Sequence, residues 1–136
     1  MSLVLDGSLA LAWCFDDEAT PMIDEIMNGV AKSGAVVPSI WRLEVANGLL
    51  MGVRRKRMSH VQRDAMVGLL AGLDIMPDLE TDRYAWSATM ALAERYGLSV
   101  YDASYLELAR RRSLLLATLD KALRTAATAA GVELVL

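Results

Sequence analysis

Four carboxylates stand inside or directly beside apolar runs: Asp6 in LVLDGS, Glu44 in WRLEVANGLL, Asp102 in LSVYDASYLELA and Asp120 in LLLATLDKALRTAA. Asp and Glu are seldom buried without a partner. Carboxylates gathered in an apolar crevice raise one another's pKa and repel, unless a cation neutralises them. A hard divalent ion, Mg²⁺ or Mn²⁺, is the simplest such cation, because it takes oxygen ligands and keeps part of its water shell. The chemistry implied is metal-dependent hydrolysis of nucleic acid. One histidine (His60) and one cysteine (Cys14) are too few for Cys/His zinc sites or Cys–His catalysis.

Short apolar strands alternating with helices must position these groups. Residues 2–5 read as a buried first strand ending at Asp6-Gly7, with Ser8 capping a brief helix to about Trp13. Thr20-Pro21 starts a helix that Gly34 ends. Residues 35–37 form a second strand stopped by Pro38, and Ser39 caps a helix to about Arg55. Ser59 to Gln62 fits a capping box opening a helix to about Gly72, before a third strand at 73–76. Thr81 caps a helix ending at Gly97. Ser99 to Asp102 reads as a second capping box, opening a helix to about Arg112. A fourth strand at 114–117 precedes a helix from Thr118-Leu119-Asp120 to Ala130, and residues 132–136 complete a fifth strand. This alternation predicts one α/β domain over 1–136, three layers deep, around a parallel sheet of about five short strands. Asp6 and Asp120 then fall at strand C-termini, where open parallel sheets bind ligands. Glu44 and Asn47, three residues apart, share one helix face.

The 54% hydrophobic content and mean hydropathy of +0.31 are high for a soluble chain. No stretch reaches the roughly 20 apolar residues of a membrane span, so the excess implies surface buried against a partner. The N-terminus lacks a basic region ahead of its apolar run, and a single cysteine fits a reducing compartment, so a cytoplasmic location is expected. Cys14 reads as a small packing residue. Net charge is −3, which gives no general pull toward nucleic acid. Two basic clusters nonetheless stand out: Arg54-Arg55-Lys56-Arg57, a candidate for RNA phosphate contact, and Arg110-Arg111-Arg112. Either could equally cap a helix C-terminus. Glu107 with Arg110 and Arg111 reads as an exposed ion-pair face.

At these four segments the chain resembles the PIN-domain nucleases, and within them the VapC-type toxins of toxin–antitoxin pairs. The resemblance rests on Asp-Gly-Ser after the first strand, Glu-Val-Ala-Asn, Tyr-Asp-Ala-Ser-Tyr-Leu-Glu-Leu-Ala, and Ala-Thr-Leu-Asp-Lys-Ala-Leu, in order and at matching spacings. It implies an acidic quartet at Asp6, Glu44, Asp102 and Asp120 holding Mg²⁺ or Mn²⁺, with Ser8 and Thr118 at hydroxyl positions near the metal and Asn47 beside them. It also implies a structured RNA substrate such as tRNA or rRNA, a homodimer and a VapB-like antitoxin.

Taken singly, Asp102 could serve its capping box and Asp120 the dipole of its helix. Asp6 has no such structural use. A haloacid-dehalogenase-like enzyme would want a second Asp where Ser8 stands. A receiver-like domain would want an Asp where Met76-Pro77 stands. The alternative from another class is a catalytically inactive PIN-like module that only binds RNA or protein.

Overall fold

A computed structural model describes residues 2–135. The chain forms four three-residue strands, β1 (Leu3–Leu5), β2 (Ala35–Val37), β3 (Ile75–Pro77) and β4 (Leu115–Ala117), all parallel in the order β3-β2-β1-β4. Between them run α1 (Gly7–Cys14), α2 (Pro21–Ser33), α3 (Trp41–Arg54), α4 (His60–Ala71), α5 (Thr81–Tyr84), α6 (Met90–Tyr96), α7 (Val100–Arg112) and α8 (Lys121–Ala129). A π-helical turn, Ala85–Thr89, joins α5 to α6. The layers are those of an α/β/α sandwich, as the alternation predicts.

Among the described residues the sheet has four strands and not five. Where a fifth was expected at 132–136, the described residues form only a bridge from Leu134 to Leu116, and Leu136 lies outside the described residues. Central β1 is wholly apolar, and its Val4 and Leu5 are inaccessible to solvent, as a strand covered on both faces requires.

Several helix starts follow local chemistry. Thr20 Oγ1 accepts from Ile23 N at 3.2 Å with Pro21 at the first helical position, and both bonds of the Ser59–Gln62 capping box form. Three expected caps move. Asp6, not Ser8, is the N-cap of α1, which leaves the Ser8 hydroxyl free to act elsewhere. Ser39 does not cap α3. Its N–H donates to Thr81 Oγ1 at 3.0 Å, and Thr81, expected to cap its own helix, bonds back to Asp78 instead.

Two glycines set the approach of α1 to α3. A Cβ at Gly48 would lie 2.4 Å from Leu11 Cδ1, and one at Gly52 would lie 2.5 Å from Phe15 Cε1. A methyl at either position, four apart on one face of α3, would force Leu11 or Phe15 to shift. At the other end of α1, a Cβ on Gly7 would lie 3.9 Å from Glu44 Cβ and Val45 Cγ2, which sets the start of α1, and with it Asp6, against Glu44.

The Glu107 and Arg111 pair is not the exposed face expected. Glu107 and Asp78 are each 5% exposed, and Arg111 bridges them. Its Nε and Nη2 donate to Glu107 at 2.8 and 3.1 Å, Nη2 also donates to Asp78 Oδ2 at 2.6 Å, and Nη1 reaches Glu80 at 3.3 Å. The guanidinium also lies 4.6 Å from the centre of the Tyr84 ring. One arginine therefore ties the end of β3 to α7.

Candidate active site

Asp6 follows β1 directly and is 5% exposed. Its N–H continues the β1–β4 ladder by donating to Ala117 O at 2.9 Å. Both hydroxyls singled out in the sequence converge on its Oδ2: Ser8 Oγ and Thr118 Oγ1 each donate at 2.6 Å. Burial raises the Asp6 carboxyl above the usual carboxylate range. The two hydroxyls oppose that rise and the Asp120 charge adds to it.

Glu44 sits in the first turn of α3. The buried Tyr105, one helical turn beyond Asp102 on α7, donates its hydroxyl to Glu44 Oε1 at 2.5 Å. Burial raises the Glu44 carboxyl, the Tyr105 bond lowers it, and the charges of Asp6 and Asp102 raise it again. Burial and the neighbouring Glu44 hold the Tyr105 phenol far above its ordinary pKa, so it stays protonated and donates. Sequence reading missed Tyr105, which stands 61 residues from its partner. The only signal was its place three residues after Asp102 on one helix face.

Asp102 is not consumed by a capping box. Ser99 Oγ accepts from Asp102 N at 3.0 Å, but the return bond from the Asp102 carboxylate to the Ser99 amide is not formed. Its carboxyl is raised by burial, then by the charges of Asp6 and Asp120, against a smaller lowering by Ser99. Asp120 is the N-cap of α8: Oδ2 accepts from Leu123 N at 2.9 Å, and its own N–H donates to Thr118 Oγ1 at 3.1 Å.

The fold thus brings the four carboxylates within reach of one another's charge. Asp6, Glu44 and Asp120 share a pattern among the described residues: the side-chain hydroxyl, phenol or cap N–H bonds all fall on one carboxylate oxygen. Such half-tied, oriented oxygens suit a hard cation. As the side chains stand, no three His, Cys, Asp or Glu groups among the described residues are close enough to clasp one ion directly. The site is a coupled cluster and not a closed cage, which fits an ion held partly through its own waters.

The basic cluster falls away from this centre, while Asn47 stays one turn beyond Glu44 on α3. Asn47 is exposed on α3. Arg54, Arg55 and Lys56 are exposed at the far end of that helix, about 15 Å from Glu44 by its rise. Arg57 bonds Asp17 and Glu18, at 3.1 and 2.5 Å, and lies 4.1 Å from the centre of the Phe15 ring. The structure does not bring this cluster to the quartet. Cys14 is buried as expected, with its thiol pushed up to about 11 by burial.

The PIN domain family model matches residues 3–129, and the chain belongs to that family. PIN domains are nucleases that generally use divalent metal ions. Several solved structures share the fold, among them three that match most of the chain. PAE2754 from Pyrobaculum aerophilum has a TM-score of 0.68 at 21% identity, covering 93% of this chain and 87% of that one. FitAcB from Neisseria gonorrhoeae has a TM-score of 0.64 at 16% identity, covering 98% and 96%. VapBC2 from Rickettsia felis, solved bound to a DNA fragment from their promoter, has a TM-score of 0.62 at 17% identity, covering 88% of each chain. No curated protein sequence matches the chain.

A pH prediction follows from the raised carboxyls of Asp6, Glu44 and Asp102. The metal-free folded chain binds their protons more tightly than the unfolded chain does. The stability this contributes is complete below the ordinary carboxylate pKa of about 4 and is lost as pH rises through the raised values. In EDTA, Asp6→Asn should therefore gain melting temperature relative to wild type as pH rises. Mn²⁺ should raise the wild-type melting temperature increasingly over the same range. A wild-type-to-variant difference constant with pH would show that the carboxylates do not strain the metal-free site.

Proposed function

We propose that this chain is a metal-dependent endoribonuclease and the toxin of a toxin–antitoxin pair. The observation that carries the reading is the carboxylate cluster: mutually coupled, half-tied by local donors, and placed at the strand C-termini of a PIN fold. A bound Mg²⁺ or Mn²⁺ supplies a water of lowered pKa and neutralises charge on the scissile phosphate. Asp6, Asp102 and Asp120 would hold it. Ser8 and Thr118 fix Asp6 from behind, so that Oδ1 keeps one direction. Glu44, with Oε1 held by Tyr105, is suited to hold a proton at Oε2. No histidine is needed as base.

The substrate is proposed to be an unpaired stretch of a structured RNA such as tRNA or rRNA, since single-stranded loops expose bases that A-form grooves hide. The test is incubation of purified protein with folded RNA. Discrete fragments should form with Mg²⁺ or Mn²⁺ and none in EDTA. A chain that binds RNA without ever cutting it would favour the inactive binding module.

The motif resemblance to VapC-type toxins and the fold shared with VapBC2 support a VapB-like antitoxin as partner, a homodimer and a cytoplasmic site of action. No helix among the described residues is long and apolar enough to cross a membrane. Trp86 and Leu43 are 90% and 75% exposed, and a groove of about 430 Å³ between α3 and α4 is lined by Val45, Leu49, Val67 and Leu70. Such surface is costly to leave in water and suits a tail that folds on binding. An antitoxin arginine would pair bidentately with the quartet in place of the metal. Mn²⁺ and Asp120→Asn should each weaken tail binding, and an affinity indifferent to both would place inhibition away from the site.

A further inference from the structure

Beyond the ends of β2 and β3 lies a second cavity of about 330 Å³, on the same edge of the sheet as the quartet. Strand spacing puts it roughly 5–10 Å from Asp6 along that edge. Its walls are flat and apolar at Pro38, Pro77 and Leu79, and Leu79 is 93% exposed, so the fold gains nothing from that side chain. Its polar groups divide into two kinds. Asp78 is fully engaged by Arg111 and Thr81. Arg42 and Asp82, by contrast, line the same cavity without pairing with each other or with any other described residue.

On α3, Arg42 and Glu44 flank the buried stripe of Trp41, Val45 and Leu49 on its two sides. A strand cut beside Glu44 therefore passes Arg42 as it crosses the head of that helix. We propose that this cavity is a subsite for an unpaired guanine next to the scissile bond, an inference that rests on the ribonuclease reading. The base stacks on the proline and leucine walls. The Asp82 carboxylate accepts from the donors on the guanine Watson–Crick edge, N1–H and the N2 amino group, an edge no other RNA base presents. Arg42 takes the adjoining phosphate. Asp78 is held by Arg111, so Arg42 and Asp82 are the charged groups of the cavity left to a ligand.

The test measures binding, not cleavage. In an Asp6→Asn background with Mg²⁺, fluorescence anisotropy is read on short single-stranded RNA oligomers carrying G, A, C or U at one position. Arg42→Ala should weaken all oligomers about tenfold and flatten the plot of log K against log salt by about 0.7, one single-strand phosphate contact. Asp82→Asn should weaken the G oligomers about tenfold, remove their advantage over the other three, and leave the salt slope unchanged. With Asp6 intact, neither substitution should alter the Mn²⁺-induced rise in melting temperature. If both variants bind every oligomer as the parent does, the subsite is wrong while the RNA reading stands. If no oligomer binds the parent, both fall. A lost Mn²⁺ response in Arg42→Ala would make that arginine a support of the quartet and overturn the subsite.

Discussion

Asp6→Asn is expected to reduce RNA cleavage by at least about a hundredfold while leaving the chain folded. Changing a residue that merely orients a metal ligand costs about 10–100-fold, so removing the charge of Asp6 in its proposed role as a ligand costs no less. The amide keeps the shape of the carboxylate and still accepts from Ser8 and Thr118, so both 2.6 Å bonds have a successor. Circular dichroism and the melting curve in EDTA should match or exceed wild type, because one of the mutually repelling charges is gone. Asp102→Asn provides the sharper control. Its helix start depends on Ser99 accepting from the Asp102 backbone N–H, which the substitution leaves alone. A variant at either position that cleaves at the wild-type rate would remove it from the catalytic set.

The largest loss of stability is expected at Arg111. Replacing it with Met leaves Asp78 and Glu107 as buried carboxylates without their cation. Breaking one side of a buried pair costs about 3–5 kcal/mol, against 0–1 kcal/mol for an exposed one. In a domain of this size that corresponds to a fall of about 10–15 °C in melting temperature. Arg111→Lys should recover little, since an ammonium lacks the planar fork that reaches both carboxylates. Adding Asp78→Asn and Glu107→Gln to Arg111→Met should restore part of the loss by removing the stranded charges. A cost below about 1 kcal/mol in urea denaturation would mean that the bridge is surface-like and does not hold β3 to α7.

The parts of this molecule legible in the sequence are those set by neighbours along the chain. The strands after which Asp6 and Asp120 fall, the Thr20 cap, the Ser59 box and the left-handed Gly97 terminus all follow from residues within a turn of one another. Asp6 and Asp120 stand out for the same reason, because carboxylates at strand ends need no knowledge of packing to look out of place, whereas Glu44 and Asp102 join them only through the packing of α3 and α7. What escaped depends on distance in the chain. Tyr105 meets Glu44 across 61 residues, Arg111 meets Asp78 across 33, and Ser39 meets Thr81 across 42. Thr81 does not cap its helix because its hydroxyl is engaged by Ser39 and Asp78, and Ser39 does not because α3 begins at Trp41 with Ile40 at the N-cap. Gly48 and Gly52 are unremarkable in a helical pattern until α1 is laid against them. The placement of the basic cluster at residues 54–57 relative to Glu44 is likewise set by the rise of α3 and not by the cluster's own composition.

The three-residue strands bear on how the site comes apart. With β1 flanked by β2 and β4, and Val4 and Leu5 sealed from water, its amides belong to the last region to exchange with solvent. Asp6 is attached to that region. Thr118 and Asp120 follow β4, whose outer side is held in the described residues by the single bridge to Leu134. A sub-global opening of that margin withdraws the Thr118 donor and the Asp120 carboxylate while β1 stays closed. Inactivation should therefore run ahead of unfolding as denaturant is raised, and the working range of the centre is narrower than the range over which the domain persists.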